Sequence, residues 1–119
     1  MTTNEIATRL AELCRHAKFE TAQKELYAND AVSIEPHATP AFEKETKGLD
    51  AILAKGDKWN EMVKETHAIT VSDPLVAANS FALTMRMQIT MKERGPMDMT
   101  ELCVYRVKDG KIISEQFFM

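Results

Sequence analysis

The sequence predicts an α+β fold, a cone-shaped barrel in which three helices from the N-terminal half pack on one face of a curved, mainly antiparallel sheet. Apolar residues recur at helical spacing as far as about Thr66 and at strand spacing after it. Between Phe81 and Met91 the odd positions are Phe, Leu, Met, Met, Ile and Met, while the even ones are Ala, Thr, Arg, Gln and Thr. Only a half-buried strand alternates in this way. Lys108-Asp109-Gly110 then marks a tight hairpin between two further strands.

Each element has its own local signal. Ile6, Leu10, Leu13 and Ala17 fall on one helical stripe, and Thr2 with Glu5 has the spacing of a capping box. Phe19, Ala22, Leu26 and Tyr27 suggest a second, short helix that stops at Asn29-Asp30, whose side chains favour turns. Ala31–Glu35 is expected as a short strand ended by Pro36, followed by a surface loop from His37 to Gly48. From Leu49 a third helix is expected, with Ile52, Leu53, Gly56, Trp59, Met62 and Val63 on its apolar stripe. Asp73-Pro74 and Arg94-Gly95-Pro96 are turns between the later strands, which run from Met97 to Val107 and from Lys111 to Met119.

At 119 residues and 13.4 kDa the chain is expected to form one domain, residues 1–119. It carries 15 basic and 18 acidic residues, net -3, so it has no electropositive field for nucleic acid or an anionic membrane. Cys14 and Cys103 are far apart and form no CxxC or Cys/His spacing, which suits free thiols in a reducing compartment. The first twelve residues resemble neither a signal peptide nor a membrane span. A soluble, cytoplasmic protein is therefore expected.

A curved sheet whose concave side the helices do not fill leaves an apolar cavity. A carboxylate facing such a cavity loses hydration, and its pKa rises toward the range useful for proton transfer. Glu101 lies on the row Met97, Met99, Cys103, Tyr105, Val107, and Glu115 lies on Ile113, Phe117, Met119. In the last strand both rows are mixed, so the facing of Glu115 stays open. Ser33 and Glu35 share one face of the first strand. The pocket-lining candidates are Trp59, His67, Glu101, Cys103, Tyr105 and Glu115, together with Glu35.

Each candidate has a plainer role open to it. Glu35 could be an exposed acid at a strand end, and Glu101 or Glu115 could pair across strands with Arg86 or Arg106. His67, on a face with Ile69 and Val71, could simply be a hydrogen-bonded histidine. Trp59 could be core, and Cys103 a small buried hydrophobe. Glu35, His37 and Glu43 have no recognised metal-ligand spacing. Met85, Met87, Met91, Met97 and Met99 suit a core or a flexible apolar surface. Leu102 and Val104, on the row opposite Glu101, call for a cover on the outer face of the sheet, and a second copy of the chain would supply it.

Leu26-Tyr-Ala-Asn-Asp-Ala-Val-Ser-Ile-Glu35, Lys47-Gly-Leu-Asp-Ala-Ile52, Trp59 and Tyr105-Arg-Val-Lys-Asp-Gly-Lys-Ile-Ile113 are the strings that matter here. With this layout, the chain resembles the nuclear-transport-factor-2-like superfamily, in its SnoaL-like and ketosteroid-isomerase-like branch. The resemblance implies a homodimer through the sheet and a small apolar or amphipathic ligand. It implies a cofactor-independent isomerase, cyclase or lyase, or else a non-catalytic ligand-binding or dimerisation module. It also implies that Glu35, just before Pro36, is the general base. The position of an acidic oxyanion donor is held here by Cys103, and no tyrosine occurs near Leu10 where the isomerases carry one. No cofactor or metal is expected.

Overall fold

The computed structural model describes all 119 residues. In chain order the elements are α1 (Thr3–Arg15), α2 (Phe19–Leu26), β1 (Tyr27–Ile34), β2 (Glu45–Lys47), α3 (Leu49–Met62), β3 (Val63–Val71), β4 (Leu75–Ala77), β5 (Ser80–Met91), β6 (Gly95–Lys108) and β7 (Lys111–Phe118). The expected α+β architecture is present: three helices lie on a curved, mixed and mostly antiparallel sheet.

The Thr2–Glu5 capping box closes as expected. Thr2 Oγ1 accepts from the Glu5 amide at 3.1 Å, and the Glu5 carboxylate accepts from the Thr2 amide at 2.9 Å. Helix α1 buries Ile6, Leu10, Leu13 and Cys14 toward the sheet. Helix α2 ends one turn earlier than its sequence suggests. Tyr27 is already extended, and Asn29 and Asp30 lie exposed within β1 instead of in a turn. Strand pairing overrides their local preference here, because β1 joins β7 in parallel from Tyr27↔Ile112 onward. The stretch expected as loop contains β2, which pairs antiparallel with β1 through Ser33↔Thr46. The β3 strand begins directly where α3 ends, three residues before the expected change of period.

The sheet order is β2-β1-β7-β6-β5-β3, with β4 paired to β5. The β1–β7 contact is the parallel pairing in an otherwise antiparallel sheet. The odd residues of β5 are all buried, as the alternation predicts. On β6 the inner row is Met97, Met99, Glu101, Cys103, Tyr105 and Val107. On β7 the register shifts opposite Arg106/Val107, so that Ile112 and then Glu115 and Phe117 face inward. That irregularity is why both rows of the last strand look mixed in sequence. The buried residues of helices and sheet form one hydrophobic cluster. No helix is long and apolar enough to cross a membrane.

Candidate functional site

The helices do not fill the concave side of the sheet, and a cavity of about 530 Å³ remains between them. This is within the size range of small-molecule sites. Met85, Met87, Met97 and Met99 line it from β5 and β6, Trp59 and Leu53 from α3, and Phe42 from the β1–β2 connection. The methionines expected as core or a flexible apolar surface divide: Met85, Met87 and Met91 are core, and Met85, Met87, Met97 and Met99 also form cavity wall.

Its polar groups gather where β1, β7 and β6 lie side by side. Ser33 and Glu115 are direct partners across β1 and β7, and Glu115 and Tyr105 are direct partners across β7 and β6. Glu115 is almost fully buried, at 4% exposure. It accepts hydrogen bonds from the Tyr27 hydroxyl and, at 2.6 Å, from Ser33 Oγ. Burial raises its pKa, while those two donors and the charge of Lys55 oppose the rise. Lys55 Nζ, from α3, donates to Ser33 Oγ at 2.6 Å and to Glu35 Oε1 at 3.2 Å. A continuous polar chain thus runs from Tyr27 through Glu115, Ser33 and Lys55 to Glu35.

Glu101 stands on the same wall without a cationic partner. Its one side-chain hydrogen bond is from Cys103 Sγ at 3.8 Å. Burial, then the negative charges of Glu35 and Glu115, push its carboxyl up to about 7. Tyr105 also lines the cavity, its ring stacked on Phe81 at 4.8 Å. Burial raises its hydroxyl well above the ordinary tyrosine range, so it is a proton donor and not a phenolate.

The structure brings Glu35, Trp59, Glu101, Tyr105 and Glu115 to this cavity. It leaves out two candidates. His67 is exposed on β3, where the register shifts between Thr66 and Ala68 and turns it away from the row of Val71; its Nε2 lies 2.7 Å from Thr90 Oγ1. Cys103 is fully buried in the core behind the wall, and burial followed by the charge of Glu101 holds its thiol far above the ordinary range. The cross-strand pairs considered for the two acids do not form. Arg86 instead pairs with Asp98 on the outer face, at 2.7 Å. Trp59 is half-buried: it packs against the core and forms cavity wall facing Phe42. Glu35, His37 and Glu43 do not come together as a metal-ligand group.

Sequence reasoning missed Tyr27, Ser33 and Lys55. Ser33 was visible only as the neighbour of Glu35 on one strand face. Lys55 sits off the apolar stripe of α3 and looks like solvated surface, and Tyr27 looks like the end of a helix.

A family model described as the SnoaL-like domain matches residues 1–119. A solved structure from Mesorhizobium loti, described provisionally as a SnoaL-like polyketide cyclase and also as a carbohydrate phosphatase, superposes with a TM-score of 0.93 at 32% identity, covering 100% of both chains. A protein from Bacillus subtilis, described provisionally as an isomerase, gives 0.74 at 19% identity over 98% of this chain and 88% of that one. A protein from Catenulispora acidiphila with a ketosteroid-isomerase-like fold, solved with trimethylamine, gives 0.70 at 20% identity over 99% and 87%. At those identities the last two carry the fold alone. Comparison with curated proteins returns no match. Cavity, sheet order and whole-chain match agree: the chain belongs to the SnoaL-like family and has the nuclear-transport-factor-2-like fold of the ketosteroid-isomerase-like proteins.

Proposed function

We propose that the protein binds a small, mostly apolar carbonyl compound in the cavity and moves a proton on it without a cofactor, as an isomerase, cyclase or lyase does. Glu35 is the general base. The observation that carries this function is the pair Glu35 and Glu101 on one apolar wall in unlike surroundings, one ion-paired with Lys55 and the other without a cation. Two acids whose environments differ can divide the roles of proton acceptor and donor. With its carboxyl near 7, Glu101 returns a proton as readily as it takes one. The 32% identity to a protein provisionally described as a polyketide cyclase supports the same reaction class. The protein acts in the cytoplasm as a homodimer joined through the outer face of its sheet.

A thermal-shift panel of lipophilic enones, polyketide-like enols, lactones and fatty acids tests the binding. A compound at about 100 times its dissociation constant adds about 2.7 kcal/mol, enough to raise the midpoint by roughly ten degrees. Glu35→Gln keeps the shape of the side chain and removes the base, so turnover of the compound found should fall about 10²- to 10⁴-fold with affinity retained. Unchanged turnover would sink the base assignment. The second function, a non-catalytic binding module, draws on the ion pair that already occupies one oxygen of Glu35. It predicts binding with no turnover in the wild type.

A further inference from the structure

Lysine at neutral pH carries three N–H donors on one nitrogen. Ser33 Oγ and Glu35 Oε1 take two of those on Lys55. No third protein acceptor lies within hydrogen-bond distance, although the side chain is only 15% exposed and lines the cavity. Its Nζ stands 5.8 Å from the centre of the Phe117 ring, another part of the wall. Arg94, the other strongly basic side chain that lines the cavity, is exposed on the turn between β5 and β6. The polar end of the cavity therefore presents one ammonium with a donor to spare, held against the carboxylate assigned as base.

We propose that Lys55 is a catalytic residue whose spare N–H receives the negative charge that develops on a substrate oxygen, and that the substrate is a neutral, enolisable ketone or aldehyde. This rests on the proton-transfer role of Glu35 proposed above. The α-carbon and the oxygen of a carbonyl group are separated by a single atom. Groups that address both must be neighbours, as Nζ and Oε1 are at 3.2 Å.

The step balances without any further reactant. The C–H bond next to the carbonyl breaks, and its proton passes to Glu35. The electron pair left behind forms the new C=C bond and moves the carbonyl π pair onto oxygen. Lys55 keeps all three protons: its spare N–H bonds the oxygen that is becoming charged, while its bond to Glu35 weakens as that carboxylate becomes neutral. The net charge of the site stays constant, so no isolated charge is created in an apolar space. A ligand that arrives already ionised would instead place a second anion beside Glu35, which already shares that ammonium. Ser33, anchored by Glu115, holds Lys55 in place and is a positioning residue.

Two probes separate this role from that of Glu35. Deuterium exchange into the α-carbons of 2-tetralone, followed by NMR, reads proton abstraction. The absorbance of bound 4-nitrophenol, which arrives neutral and can pass its proton to Glu35 as the ketone does, reads across pH how strongly the site favours an oxyanion over its neutral acid. The wild type should accelerate exchange and shift the bound phenol about tenfold toward phenolate. Lys55→Met should slow exchange about 10²- to 10³-fold with little change in 2-tetralone affinity, and should abolish the phenolate shift. Lys55→Arg should restore part of both.

Exchange at the wild-type rate in Lys55→Met, together with its loss in Glu35→Gln, would overturn the Lys55 assignment and leave the base in place. A Lys55-dependent phenolate shift without exchange in the wild type would uphold the oxyanion site and overturn the proton-transfer function. If Lys55→Met fails to fold, the wild-type titration still decides: no phenolate shift there refutes the proposal.

Discussion

Glu101 shares the inner row of β6 with Met99 and Cys103, and burial there disfavours its charged form. Unfolded, its carboxyl returns to the ordinary 4.5; folded, it is pushed up to about 7. Between these pH values the folded protein holds a proton that the unfolded chain has released. Stability from this group therefore falls as pH rises from 4.5 to 7 and is level above that. Glu101→Gln should stabilise the protein by about 1–3 kcal/mol at pH 8, and by close to nothing at pH 4.5. Urea denaturation at the two values checks it, and an equal gain at both would mean that Glu101 takes up no proton on folding. The anomaly of an acid in an apolar row was plain in the sequence. That Arg86 would pair with Asp98 and leave Glu101 unpaired was not, because it depends on the register of β5 against β6, which sets Asp98 diagonally across from Arg86.

Hairpin β6–β7 shows the same division at the level of elements. Asp109 and Gly110 both have positive φ, +52° and +73°, the two central residues of a tight turn that matches the twist of the strands. Asp-Gly announces such a turn directly, and Lys108↔Lys111 closes it. A Cβ on Gly110 would lie 3.5 Å from backbone atoms of Met1, ordinary contact, so the cost of a side chain there is conformational. Gly110→Ala should lose about 1–2 kcal/mol in chemical denaturation, and Gly110→Asn less, since asparagine tolerates this region better. The irregularity one residue further into the pairing left no such trace. It moves Glu115 to the inner face after Ile112, and only the pairing of β7 with β6 and β1 defines it. The boundary of α2 and β1 was hidden for the same reason: Tyr27 leaves the helix to meet Ile112, a partner far along the chain.

At the scale of the whole molecule, the sheet has an inner face that the helices cover and an outer face that they do not. Leu102 and Phe118 are cross-strand partners on the outer face, 41% and 47% exposed. If a second copy covers them, sedimentation at micromolar concentration should give a species of twice 13.4 kDa, and Leu102→Arg should return it to 13.4 kDa. A wild-type species already at 13.4 kDa would refute the dimer. The substitution leaves the cavity untouched, so ligand binding should persist in the separated chain.

The sequence by itself determined the three helices, the long strands β5 to β7 and the inward row of β5 and β6, because spacing and turn chemistry act over a few neighbouring residues. Only the tertiary structure decided the polar end of the cavity. Tyr27, Ser33 and Glu35 come from β1 and its end, Lys55 from α3, Glu101 from β6 and Glu115 from β7. A hydrogen-bonded chain among them exists because a parallel pairing, a register shift and the docking of α3 place distant segments together. No local period records such contacts, since each residue's neighbours in space are not its neighbours in sequence.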